Sequence, residues 1–392
     1  MNFELTPQQQ TLQKAAIEFA RQELDSNMIE RDAQQVFSHD GWKKCAAFRV
    51  QGMPIPTEYG GRDADPITMI AIMEGLGYGG SDQRLLFSIN AHMRTNSMPL
   101  LKYGTEEQKK RYLPGLCDGS LIGANGASEP SAGSDIFSMQ TRVRKDGSDY
   151  VLNVRKIFVT NAPVADLFTI DATLDPQLHA AGICALIVEK GTEGLCVGKK
   201  KDKMGLRTAL MAEVLLEDCR VPGTALLGRE GRGVEVFNCS MAWERACILA
   251  TCLGTMRRQL GRCIEHVRRR KQFGQPIGKF QSVANRIVDM KLRYETAPLL
   301  TYKVGWLMKN NKSADMDAAM AKLYVSESFV KGVHHRVQRP QRLRADFDSE
   351  ILRPFNHQRQ YRNNAEPSSW PQEIAFRNLG NASLSLRKRR LL

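Results

Sequence analysis

No stretch of this 392-residue chain comes near the length of a bilayer span. The longest apolar run without a charge is Ala180 to Val188, far short of the roughly 20 residues a spanning helix needs. The N-terminus, MNFELTPQQQ, has no basic-then-apolar leader pattern, so a cytoplasmic location and no membrane partner are expected. The nine cysteines include no C-x-x-C pair and no His/Cys ligand spacing, which reads as reduced packing thiols and no metal site. There is no internal repeat, no P-loop and no G-x-G-x-x-G between a strand and a helix; GREGRG at Gly228 to Gly233 is only a loop signal.

What is present is a globular composition, 42% hydrophobic and 25% charged, with a net charge of +14. Half of that excess lies in the last 61 residues, Gly332 to Leu392, where 11 of the 12 basic residues are Arg. That segment shows no aromatic stacking pattern and no recognised nucleic-acid module, so no nucleic-acid partner is expected.

Texture divides the chain. Thr6-Pro7-Gln8-Gln9 reads as a capped helix start, followed by Leu12, Ala15, Ala16 and Phe19 at helical spacing. Helical patterning continues through ITMIAIMEGLGYGG and EEQKKRYLPGL. From Leu121 the pattern shortens to alternating runs, DYVLNVRKIFVTNA, AGICALIVEK and MAEVLLEDCRVPG, separated by turn residues. From Gly231 long helical periods return, with VFNCSMAWERACILATCLGTMRRQLGRCIEHVRRR expected as one helix. The expected class is α+β: a helical domain over 1–120, a β domain over 121–230, a helical bundle over 231–331 and an atypical Arg-rich tail over 332–392.

The segment GASEPSAGSD, Gly126 to Asp135, opens the β domain. Its small residues allow close backbone approach to a ligand, and the Ser128 and Ser134 hydroxyls can serve ring carbonyls or phosphates. Taken with KIFVTNA, then KKDKMGLRTALMAEVLLEDCRVPG, then RRRKQFGQPIGKFQSVANRIVDM, in that order and spacing, the chain from residue 1 to about Lys331 resembles the acyl-CoA dehydrogenase family of flavoproteins. The resemblance implies a helical domain, a β-barrel middle and a helical bundle, with FAD bound and a homodimer or homotetramer formed. It places Ala127 and Ser128 at the loop that hydrogen-bonds the flavin, Phe158 beside the ring and Thr160 at its edge. It also assigns Arg270, Gln272 and Phe273 to the segment that reaches FAD across a dimer interface, the Arg being suited to pyrophosphate.

AWERACILA carries the catalytic expectation. Oxidising a thioester requires a carboxylate to take the α-proton from the side opposite the hydride acceptor. A helical Glu beside an Arg is ordinarily a surface ion pair. Here the neighbours Met241, Ala242, Trp243, Ala246, Ile248 and Leu249 are apolar, and such surroundings push a carboxylate toward the working pH range. Glu244 is therefore the expected base, as in the family branch that has a Glu immediately before an Arg on this helix. Within the family the resemblance points to the oxidases and dehydrogenases that act on prolyl groups held on carrier proteins in pyrrole and anatoxin-type alkaloid biosynthesis. The implied partner is an acyl or peptidyl carrier protein bearing prolyl on phosphopantetheine, and the net basic body suits an acidic partner. A short- or branched-chain acyl-CoA dehydrogenase and a non-catalytic member without FAD contacts are the alternatives.

The other family branch draws its base from a C-terminal E-G-T motif and has G-Y-G-type FAD contacts, and neither is present as written. A slip in reading frame, rather than a genuine Arg-rich tail, is the expected explanation. Permitted codons for Val333 to Asp346, read one base later, yield IIECSDLSGYGL, and EPSSWP at Glu366 to Pro371 contains GTIELA in another frame. His334 and His335 then carry no role, and Glu366 stands as an alternative base.

Overall fold

The computed structural model describes residues 4–24, 27–80, 82–203 and 205–337. The helices α1 (Pro7–Glu23), α2 (Met28–Gln34), α3 (His39–Ala47), α4 (Pro66–Gly79), α5 (Gln83–His92), α6 (Met98–Tyr103) and α7 (Glu106–Asp118) come first. Eight strands follow: β1 (Gly123–Gly126), β2 (Arg142–Asp146), β3 (Asp149–Thr160), β4 (Leu167–Thr173), β5 (Ile183–Glu189), β6 (Leu195–Val197), β7 (Met211–Val221) and β8 (Leu226–Leu227). After them come α8 (Gly233–Cys247), α9 (Ala250–Arg269), a small hairpin of β9 (Lys271–Gln272) and β10 (Gln275–Pro276), α10 (Gln281–Lys309) and α11 (Asp315–Val337). The expected single helix after Gly231 is thus two, interrupted at Ile248 and Leu249. No helix among the described residues is long and apolar enough to cross a membrane. The Arg-rich segment beyond Val337, with Glu366, lies outside the described residues.

The described chain divides into two compact units, one drawn from Met1–Asp25, Pro66–Ser81 and Arg245–Leu392, the other from Ser26–Asp65 and Asp82–Glu244. In the first, α1 opens as its sequence requires: the Thr6 hydroxyl accepts from Gln9 N–H while the Gln9 side chain accepts from Thr6 N–H. Ala16 is buried as the period demands, but Ala15 is exposed and Ala20 buried in its place. Helices α4 and α9 cross almost backbone to backbone. A Cβ on Gly77 would sit 2.0 Å from the Thr251 carbonyl oxygen, and one on Gly254 would sit 1.9 Å from that of Glu74, so only glycine permits the crossing. The buried Glu74 carboxylate there accepts from the Tyr302 hydroxyl at 2.7 Å and from Gln13 at 3.2 Å.

The second unit is built on one sheet with strand order β6-β7-β3-β2-β4-β5-β8, β1 adding to β4 in parallel. Alternation sorts β3: Leu152, Val154 and Lys156 are buried while Asn153 and Arg155 are exposed. β4 does not alternate, because both its faces are covered. Phe168 and Ile170 join the sheet core with Leu152, Leu186 and Val214, while Leu167 packs on the opposite side with Leu113 and Leu116 of α7.

His92 ties three elements of this unit together. Its Nδ1 accepts from Gly123 N–H at 2.9 Å, which leaves Nε2–H to donate to the Leu116 carbonyl at 2.9 Å. Burial drives this imidazole down to about 4, the Leu116 carbonyl pulling the other way. Burial raises the carboxyl of Asp171, on β4, to about 7, with the Lys156 ammonium opposing. Neither oxygen of Asp171 has a hydrogen-bond partner among the described residues.

The two shifts act oppositely on stability. The unfolded state takes up the His92 proton first, so that contribution is present above pH 6.5 and lost as pH falls to about 4, roughly 3 kcal/mol. The folded state holds the Asp171 proton longer, so its contribution is present below 3.8 and lost as pH rises to about 7, roughly 4 kcal/mol. Relative to the parent, Asp171→Asn is expected to gain stability and His92→Gln to lose it between pH 4.5 and 7. Urea midpoints at the two pH values check this, and unchanged differences would refute it.

Candidate functional site

The loop after β1 is closed on itself by Glu129 N–H to the Ala132 carbonyl at 2.8 Å and by the return bond from Ala132 N–H at 3.3 Å. The buried Glu129 carboxylate anchors it, accepting from Gln140 N–H at 2.8 Å and from Lys156 Nζ at 2.8 Å. Lys156 also donates to the Ala127 carbonyl at 3.1 Å, and Ile157 N–H donates to the Ser128 carbonyl at 2.9 Å. A Cβ on Gly126 would meet the Lys156 stem at 3.3 Å. Burial pushes the Glu129 carboxyl up, but the Lys156 ammonium and the surrounding hydrogen bonds outweigh it and hold it below the usual carboxylate range. Burial lowers the Lys156 ammonium against the pull of Glu129. A buried charge pair in which both members are hydrogen-bonded fixes geometry; here it clamps Ala127 and Ser128 to β3.

The clamped part of β3 is irregular. Pairing with β7 slips between Lys156 and Val159, so β3 carries one extra residue. Phe158 lies in that bulge at φ 56°, a left-handed backbone that costs an aromatic residue about 1–3 kcal/mol and concentrates at functional positions. Its ring is 59% exposed. Thr160, two residues on and half-buried, pairs with Met211. The structure thus gathers Ala127, Ser128, Phe158 and Thr160 along one edge. Ser134 lies on the exposed limb of the same loop.

Glu244 is half-buried near the end of α8. The preceding Trp243 packs onto a cluster containing Ile187, Leu227 and Val236, and the guanidinium of the buried Arg94 stands 5.7 Å from its ring centroid. Arg94 belongs to a single π turn, Met93–Ser97, between α5 and α6, a distortion common at functional positions. Arg270, Gln272 and Phe273 belong to the helical unit. Arg270 closes the β9–β10 hairpin by accepting from Ile277 N–H at 2.8 Å. Phe273 and Gly274 turn it at φ 50° and 77°, leaving the Phe273 ring 93% exposed and edge-on to Phe280.

Sequence reasoning passed over Glu129, Lys156 and Arg94. A signal existed for Lys156, a lysine at an inward position of the β3 alternation. The π turn has no comparable signature.

The unit that holds Glu244 fits a flat, polar-edged ring system: an outward aromatic in strained backbone, Phe158, beside a loop whose Ala127 and Ser128 carbonyls are already engaged, with Thr160 two residues further along the same strand. Among the described residues no group of three or more His, Cys, Asp or Glu side chains could hold a metal ion.

Comparison with known proteins supplies the context. Family models described as acyl-CoA dehydrogenase N-terminal, middle and C-terminal domains match residues 6–120, 124–219 and 231–339. The chain is 39% identical over 331 residues to an L-prolyl-[peptidyl-carrier protein] dehydrogenase of Serratia sp., covering 84% of this chain and 86% of that protein. A solved structure of the prolyl acyl carrier protein oxidase AnaB superposes with TM-score 0.93 at 43% identity, covering 96% of this chain and all of that one. Another, described as PigA with FAD and proline, superposes with TM-score 0.94 at 36% identity, covering 97% and 99%.

Proposed function

The chain belongs to the acyl-CoA dehydrogenase family, and from that premise we propose that it oxidises a prolyl group held as a thioester on the phosphopantetheine arm of a carrier protein, giving a pyrroline-type product. The carrying observation is similarity over most of the chain, 84% of it in sequence to a prolyl-carrier-protein dehydrogenase and 96% of it in structure to a prolyl carrier protein oxidase. FAD, when bound, supplies the acceptor for the hydride.

The chain's own residues would do the rest. Glu244, half-buried near the end of α8, would take the proton from the thioester α-carbon, a carboxylate being the group type that this step needs. Ala127, Ser128 and Thr160 would hold the polar edge of the flavin and Phe158 its face, with Ser134 on the same loop. Arg270 suits the pyrophosphate, and Gln272 and Phe273 extend that contact. Because the β9–β10 hairpin presents Phe273 outward, it is suited to reaching into a second copy. A homo-oligomer is further supported by Val288, Leu292, Leu299 and Trp306, which are exposed at one-face spacing along α10.

The test is the visible spectrum of the purified holoenzyme under anaerobic conditions. Addition of prolyl-loaded carrier protein is expected to bleach the flavin bands, while butyryl-CoA and isovaleryl-CoA leave them. Bleaching by the CoA thioesters alone would replace the reading with a short- or branched-chain acyl-CoA dehydrogenase, and a protein that retains no flavin would favour a non-catalytic member.

A further inference from the structure

We propose that the loop joining β4 to β5, with Arg142 and Arg229 beside it, is the surface on which the acidic carrier protein docks; the assignment rests on the prolyl-carrier reading above. The loop tip is apolar and outward. Leu178 is 53% exposed, and Ala180 and Ala181 are exposed with it. Between them His179 is held at φ 47°, ψ −124°, a conformation no non-glycine residue adopts without cost.

The loop is braced. Leu174 N–H donates to the Gly182 carbonyl at 2.9 Å, Leu178 N–H to the Asp175 carbonyl at 3.1 Å, and the Asp175 carboxylate caps Gln177 N–H at 2.9 Å. An apolar tip held rigidly in solvent loses little conformational freedom when a partner covers it.

Charge identifies the partner. Around this loop Lys145 is neutralised by Glu230 at 2.6 Å and Arg232 by Glu235, while Arg144 stands 3.7 Å from an Asp146 carboxylate that Arg220 already engages. Arg142 and Arg229 are the exceptions, exposed and with no carboxylate in reach among the described residues. Arg142 is the register partner of Thr173 at the root of the loop. Arg229 begins the turn in which Gly231 lies so close to Ala181 that a Cβ would be 2.4 Å from its carbonyl oxygen. Two uncompensated guanidiniums flanking an apolar tip match a small protein that presents acidic side chains around the serine bearing its arm.

Continuity supplies the route inward. The turn Ile136–Ser138, which follows directly on the Ala127 to Asp135 loop, packs against the 176–182 segment. An arm entering from the docking surface therefore meets the loop that carries Ala127, Ser128 and Ser134.

The experiment uses the full-length holoenzyme with Arg142→Glu and Arg229→Glu together, and separately Leu178→Asp. Each is assayed with prolyl-loaded carrier protein, with prolyl-CoA and with the prolyl thioester of free pantetheine. Fluorescence anisotropy also measures binding of the unloaded holo-carrier. The double variant is expected to raise carrier KM and Kd roughly tenfold or more, with the pantetheine thioester turned over as by the parent. High salt should weaken parental carrier binding and shrink the difference. Equal carrier KM and Kd in parent and variants would overturn the docking surface, as would a loss confined to prolyl-CoA, which would mark a nucleotide contact. A parent that binds carrier through these arginines yet turns over no prolyl thioester would refute the substrate reading while leaving the surface standing.

Discussion

Glu244→Gln is expected to keep its FAD and lose turnover of prolyl thioester by about a thousandfold, the scale on which a positioned general base contributes. The amide preserves the volume beside Trp243, so the fold and the flavin spectrum should persist while the α-proton has no acceptor. Anaerobic bleaching followed by stopped flow separates the two properties in one trace. Retained flavin with slow bleaching supports Glu244 as the base. Bleaching at the parental rate would transfer the role to Glu366, beyond the described residues. Glu244→Asp, which retracts the carboxylate by one methylene, should fall between the two.

Lys156→Met is expected to have the largest effect on stability. The Lys156 ammonium lies wholly buried between Glu129 and the Ala127 carbonyl, and removing it strands the Glu129 carboxylate. An unpaired buried charge of this kind costs about 3–5 kcal/mol. It also frees the loop that would hold the flavin edge, so retained FAD after gel filtration should fall together with the urea midpoint. The pH response should change sign. In the parent, Glu129 is held below the usual carboxylate range, so its contribution is present above 4.5 and lost as pH falls. In the variant burial acts alone, raising the carboxyl, so stability should be greatest in acid and decline as pH rises. Lys156→Met with Glu129→Leu should recover much of the midpoint, because no charge is stranded, yet still retain FAD poorly, because the bond to Ala127 is gone. Full recovery of FAD in that double variant would show that the pair serves stability alone.

Local signals along the chain were readable because each is complete within a few residues. The Thr6–Gln9 capping box closes a helix end with its own side chains. The alternation of DYVLNVRKIFVT sorts β3 into inward and outward faces, and its inward lysine was the one visible sign of the buried pair. The helix expected from Val236 onward was half right. Its apolar period runs on through Ile248 and Leu249, where the backbone breaks between α8 and α9, because the residues there answer to packing rather than to period.

By itself, then, the sequence determined the order of helical and β segments, the helix caps, the strand faces and the short motifs whose spacing resembles the family. Only the tertiary structure decided that Lys156 meets Glu129 across 27 residues of chain, that the β3–β7 register slips to turn Phe158 outward, and that Arg94 stands over Trp243. The division has a physical cause. Caps and periods are set by neighbours within one or two turns of the chain, whereas a bulge, a buried ion pair or an outward aromatic exists only once distant segments compete for the same space and the same hydrogen bonds.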